Sequence, residues 1–177
     1  MYVVGEYVFR ANEGICRVNE IGHPDFLNPK EERMYYILIP KGDTKTKIYV
    51  PTEPEPIGIR RLISKDEALK LIQNIQYISP INIANEKQRE QEYKQALRSN
   101  DPFQLAAIIK TLYTREQFRT TQGKKTTAMD KNYFQRAEKL LYSELEMVLG
   151  VEAICIPDQI AAAIGRNKIY KKEDLNE

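Results

Sequence analysis

The rhythm of apolar residues changes once along this chain, between Arg61 and Ser64, and that change constrains the fold more than any single motif. Before it, apolar residues come in short runs split by turn formers; after it, they recur every three or four positions. A period of two buries one face of a strand, and a period near 3.6 buries one face of a helix. The pattern therefore predicts an α+β chain: a small β domain over residues 1–63, followed by an all-α domain over residues 64–177. At 177 residues, 42% apolar and 29% charged, the chain has enough material for real cores and none of the bias of a disordered segment.

In the first domain, Tyr7-Val8-Phe9 leads into the turn formers Ala11-Asn12-Glu13-Gly14, and residues 15–21 roughly alternate as a strand should. Residues 23–30 carry Pro24 and Pro29 and read as a loop. Residues 34–39 are aromatic and branched enough for a central strand, Lys41-Gly42-Asp43-Thr44 turns the chain, and Lys47-Ile48-Tyr49-Val50 returns it before Pro51. Ile57-Gly58-Ile59-Arg60 offers a last short strand. Four or five short antiparallel strands imply a small, strongly bent sheet or partial barrel, whose open edge is a docking rail for another protein's strand.

In the second domain, Ser64-Lys65-Asp66-Glu67 is a capping box ahead of Ala68, Leu71, Ile72 and Ile75. Residues 74–85, with Pro80, read as a connector. Asn85 is expected to cap a helix that turns Tyr93, Ala96 and Leu97 inward and Lys87, Arg89, Lys94 and Arg98 outward. Asp101 and Pro102 start the next helix, with a stripe of Leu105, Ile108, Ile109 and Leu112. After a polar loop at 119–125, Thr127 opens the longest helix, which buries Tyr133 or Phe134, Ala137, Leu140, Leu141, Leu145 and Val148 and stops at Gly150. A short last helix is expected over 157–164, and a frayed charged tail over 171–177.

Charge and side-chain inventory exclude more than they assign. The net charge is +2, so attraction to a polyanion must come from clustering. Residues 1–63 are balanced, with nine basic and nine acidic side chains. Between Lys110 and Lys139 stand eight Lys or Arg against Glu116, Asp130 and Glu138. That stretch is the candidate phosphate-facing surface, sequence-independent and salt-sensitive; the usual alternative for such a run is a solvated face. No glycine-rich phosphate loop is present, His23 is the sole histidine, and the carboxylate pairs lie in polar loops or on helix faces. No catalytic residue, metal ligand, cofactor or small-molecule ligand is expected. Cys16 and Cys155 sit in apolar runs and read as buried thiols. The N-terminus lacks the charge and apolar pattern of a signal peptide, and no run is long enough to span a membrane, so a cytoplasmic location without membrane partners is expected.

These segments, in this order, resemble the CarD/CdnL-type bacterial transcription regulators, whose N-terminal module is similar to the RNA-polymerase-interacting domain of transcription-repair coupling factors. The resemblance rests on Val4-Gly5-Glu6-Tyr7-Val8-Phe9, Gly14, Tyr36-Ile37-Leu38, Lys47-Ile48-Tyr49-Val50-Pro51 and Ile57-Gly58-Ile59-Arg60. It continues through Leu97-Arg98-Ser99-Asn100-Asp101, the run from Ala106 to Leu112, Ala137-Glu138-Lys139-Leu140-Leu141 and Glu144-Leu145. It implies a Tudor-like sheet docked on the β subunit of RNA polymerase, and a helical domain on promoter DNA at the upstream edge of the melted bubble, where it modulates open-complex stability. The protein would then associate with the nucleoid through the polymerase. By position, Ile37, Ile39, Lys47, Tyr49 and Pro51 would face the polymerase, and Glu86, Lys87, Arg89, Lys94, Lys124 and Lys125 would lie near DNA. Two departures stand out. The family's wedge tryptophan is matched here by Glu86 in a chain without tryptophan, and an arginine often found on the docking strand is matched by Tyr49. An adaptor that binds polymerase without touching DNA is the alternative reading.

Overall fold

A computed structural model of the chain describes residues 1–24, 33–54, 56, 58–83, 85–150 and 160. Ile57, Cys155, most of the 23–30 loop, the 171–177 tail and, apart from Ile160, the helix expected over 157–164 lie outside the described residues. Two compact units divide between Leu62 and Ile63.

The first unit is a curled antiparallel sheet of five strands: β1 (Tyr7–Arg10), β2 (Gly14–Gly22), β3 (Tyr35–Pro40), β4 (Ile48–Pro51) and β5 (Ile59–Arg61), in the order β4-β3-β2-β1-β5. The turn between β1 and β2 is tight because Asn12 and Gly14 both adopt positive φ, which Asn and Gly tolerate at least cost. Alternation sorts the side chains. Val8 pairs with Cys16, Val18 with Leu38 and Tyr36 with Val50, and these residues with Ile59 form one buried cluster. A bulge between Val18 and Glu20 resets the phase of β2. Ile21 thereby pairs with Tyr36 and packs against that same cluster, although strict alternation from Val18 would have turned it away.

The second unit is helical: α1 (Lys65–Asn74), α2 (Arg89–Arg98), α3 (Pro102–Thr121) and α4 (Ala128–Leu149), with a 3-10 turn at Ile75–Tyr77. Ser64 and Glu67 make the expected capping box, Asp101 Oδ1 accepts from Phe103 N at 2.8 Å, Thr127 accepts from Asp130 N, and Gly150 ends α4 in the left-handed region. α3 packs on α4 and α2, and α1 packs on α4. The expected stripe of α3 is too narrow. Ala106, Ala107 and Thr111 are buried along with Leu105, Ile108, Ile109 and Leu112, so the first half of α3 is enclosed on nearly all sides. That is possible because small side chains let neighbouring helices close in. α3 also runs through Arg119 to Thr121, shortening the expected loop.

Two expectations fail at the start of α2. Asn85 does not cap it: the Asn85 side chain accepts from Lys87 N and its carbonyl from Gln88 N, each at 2.9 Å, which makes a turn, and the helix begins only at Arg89. Arg89, expected to point outward, is 9% exposed. The buried Asp130, with Glu86 at the surface, draws it in.

Candidate functional site

The sheet presents an edge and a second face. Among the described strands, β4 is hydrogen-bonded only to β3, so it forms one border of the sheet. Ile37 stands opposite Tyr49 and Tyr35 opposite Pro51, and Ile39 follows on the same side of β3, away from the cluster built on Tyr36, Leu38 and Val50. The expected docking residues Ile37, Ile39, Tyr49 and Pro51 are thus gathered on one face at one border, with Lys47 exposed just before β4. They are not equally available. Ile37 is 5% exposed, whereas Ile39, Tyr49 and Pro51 are half-buried. The register adds one residue that sequence reasoning missed. Arg17, exposed, pairs with Ile39 and places a cation on this face one strand inward.

In the helical unit, four charged side chains from three helical segments meet. Arg115 of α3 grips Glu86, just before α2, with both terminal nitrogens: Nη1 to Oε1 at 2.8 Å and Nη2 to Oε2 at 2.9 Å. Its Nε donates to Asp130 Oδ2 in the first turn of α4 at 3.2 Å. Arg89 Nη1 also donates to Glu86 Oε2. Arg89 Nε lies 3.3 Å from Asp130 Oδ1, close enough for an ion pair but misaligned for a hydrogen bond. Asp130 is 2% exposed, so its charge is tolerable only because two guanidinium groups surround it. Glu86 forms the outer end of the cluster, with its side chain 62% exposed. Its hydrogen bond from Arg115 holds its carboxyl below the usual carboxylate range. Two carboxylates and two guanidiniums sum to zero, so the cluster itself is neutral.

The basic stretch 110–139 is therefore less cationic to solvent than its composition. Lys110 donates its ammonium to the Gln76 and Ile78 carbonyls, the latter at 2.7 Å, stabilising the C-terminal end of the 3-10 turn. Arg115 belongs to the four-charge cluster, and Arg119 Nε donates to the Lys125 carbonyl at 2.9 Å. Of the expected DNA-facing residues, Lys87 is exposed, while Lys94 is exposed but paired with Glu90 at 2.9 Å. Arg89 is buried and Glu86 is engaged. Lys124 and Lys125 are exposed in the loop before α4, and the exposed Lys131, Arg136 and Lys139 continue along that helix. The structure thus separates the expected DNA set into two places: α2 and the turn before it, where Arg89 is buried, Glu86 and Lys94 are paired and Lys87 is exposed, and the α3–α4 loop, where Lys124 and Lys125 are exposed.

Asp130 and Glu144 are the functional-looking side chains that sequence reasoning passed over. Both lie on the buried stripe of α4, three residues before Tyr133 and three or four after Leu140 and Leu141, so the spacing itself carried the signal. Glu144 is fully buried and accepts from Ile63 N at 3.1 Å.

Two family models match the chain. One, described as CarD-like/TRCF RID domain, covers residues 2–63; the other, described as CarD, C-terminal domain, covers residues 70–160. The chain belongs to the CarD family. It is a transcription-related protein that interacts with RNA polymerase, in a family of non-enzymatic regulators. The comparison with curated proteins returned no match. Among the described residues, no helix is long and apolar enough to cross a membrane.

Proposed function

We propose that this CarD-family protein docks on the RNA polymerase β subunit through the β4 border of its sheet, and lays the α3–α4 loop and α4 against promoter DNA at the upstream edge of the bubble. The observation that carries the docking half is the edge strand itself. Among the described strands β4 stands at the border of the sheet, and Ile39, Tyr49 and Pro51 flank it with accessible apolar area. Main-chain pairing to an edge supplies affinity, and the flanking side chains supply specificity. Tyr49 contributes a large ring and a hydroxyl where a charge is often used, and the neighbouring Arg17 restores a cation on the same face. The DNA half is supported by the exposed Lys124, Lys125, Lys131, Arg136 and Lys139. Such contacts attract phosphate without reading bases.

A protein held in this way lowers the energy of the open complex. It speeds promoters limited by melting and slows those limited by escape. The alternative, an adaptor without DNA contact, is favoured by one specific observation: the two arginines nearest Glu86 are consumed internally. Two measurements test the reading. Co-purification of the full chain with a polymerase β fragment is expected, and Tyr49→Asp is expected to abolish it; wild-type-like binding by that variant sinks the docking proposal. Mobility shift on forked promoter DNA at two salt concentrations separates the alternatives. Salt-sensitive binding supports DNA contact, and its absence at low salt supports the adaptor.

A further inference from the structure

We infer that Arg115 and Arg89 form a phosphoryl-binding site that Glu86 occupies in place of a ligand. This deepens the DNA-contact reading and rests on it for the biological ligand, but the site itself is tested without DNA. The Arg115 fork meets Glu86 in the two-point geometry that guanidinium groups use equally for carboxylate and phosphate. Arg89 donates to the same carboxylate, so two guanidiniums converge on one anion. The two arginine side chains are only 11% and 24% exposed and are held from behind by the buried Asp130, which fixes the fork with or without Glu86. Glu86 is different. Its side chain is 62% exposed, and it precedes α2 in a turn, outside the regular helix. It is the one member of the cluster whose own charged group is already mostly in solvent, so it can swing away without burying or stranding its own carboxylate. When it leaves, two guanidiniums face one carboxylate, and the pocket carries a net charge of about +1, suited to a single phosphoryl oxygen pair. No proton transfer is involved. The exchange replaces one anion by another, and the competition makes nucleic-acid binding at this end of the helical unit conditional.

The test uses the full chain with Glu86→Gln, which keeps a hydrogen-bond acceptor but removes the charge. Glu90→Gln serves as a control for general loss of negative charge on the same segment. With inorganic pyrophosphate as probe, the Glu86→Gln protein is expected to bind on the order of tenfold more tightly than the native chain, as read by titration calorimetry. Glu90→Gln is expected to leave that binding unchanged, and adding Arg115→Lys to Glu86→Gln is expected to erase the gain, since lysine keeps charge but lacks the fork. Equal gains from both glutamine variants, or a gain that survives Arg115→Lys, would overturn the site. Unchanged circular dichroism keeps these outcomes interpretable, and the native fold of Arg115→Lys alone supplies the second check. On duplex DNA, the Glu86→Gln slope of log affinity against log salt is expected to steepen by roughly 0.9, one added phosphate contact. Pyrophosphate binding without that change would keep the site but detach it from DNA, assigning it to a free phosphoryl ligand and refuting DNA contact at this place.

Discussion

Asp130 shows how a single side chain can organise three segments. Its carboxylate is 2% exposed and sits between Arg89 and Arg115, so deleting it strands two guanidiniums in a poorly solvated place. Asp130→Ala is expected to cost about 3 kcal/mol in urea unfolding, since breaking one side of a buried ion pair leaves the other side uncompensated; a loss near zero would mean that water reaches the cluster freely. Glu86 sets a pH dependence of defined sign. Its carboxyl titrates below the ordinary value of 4.5 because Arg115 donates to its charged form. A carboxyl depressed in the folded state stabilises above its unfolded value, and that contribution disappears as the pH falls through the folded one. The urea midpoint is therefore expected to drop as the pH is lowered past 4.5, with a shallower drop in Glu86→Gln. Equal slopes in the two proteins would remove Glu86 from the account.

At the scale of elements, the helix ends were legible because caps are local. A serine followed three residues on by glutamate has a short list of ways to satisfy free backbone N–H groups, and Ser64 and Glu67 adopt the reciprocal one, with Glu67 Oε2 2.7 Å from Ser64 N. Ser64→Ala is expected to destabilise the helical unit by about 1 kcal/mol, measured by thermal or urea unfolding. The same reasoning located Asp101, Thr127 and Gly150. It failed at Asn85, because an Asx side chain can equally close a turn, and which competitor wins depends on where the following residues are pulled. Here Arg89 is drawn toward Asp130, and the helix starts where that pull begins. The strands were legible for a similar reason. Alternation located β1 to β4 within a residue or two, but the bulge in β2 depends on cross-strand pairing and has no marker of its own in residues 15–21.

At the scale of the molecule, the two proposed contacts fall on different units: Tyr49 on the sheet, and Lys124 and Lys125 before α4. Reversing the two lysines with Lys124→Glu and Lys125→Glu is expected to weaken forked-DNA binding at low salt at least several-fold and to flatten its salt dependence by roughly 1.8, two lost phosphate contacts. Co-purification with polymerase is expected to stay intact. Loss of both activities together would mean that the double variant unfolds or that one surface serves both partners, and circular dichroism distinguishes the two.

The order of residues by itself determined the class of the protein: strands then helices, the caps, the turn glycines, and a family resemblance that two matched family models bear out. Those properties depend on neighbours within a few positions, or on a pattern that survives being read linearly. Tertiary structure alone decided which charges reach solvent. Lys110, Arg89 and Arg115 look identical on the page to Lys124 and Lys125, yet the first three are spent on carbonyls and carboxylates from distant segments. A charge costs so much to bury that its partner must be brought to it, and which partner arrives is a property of the packed helices rather than of the chain.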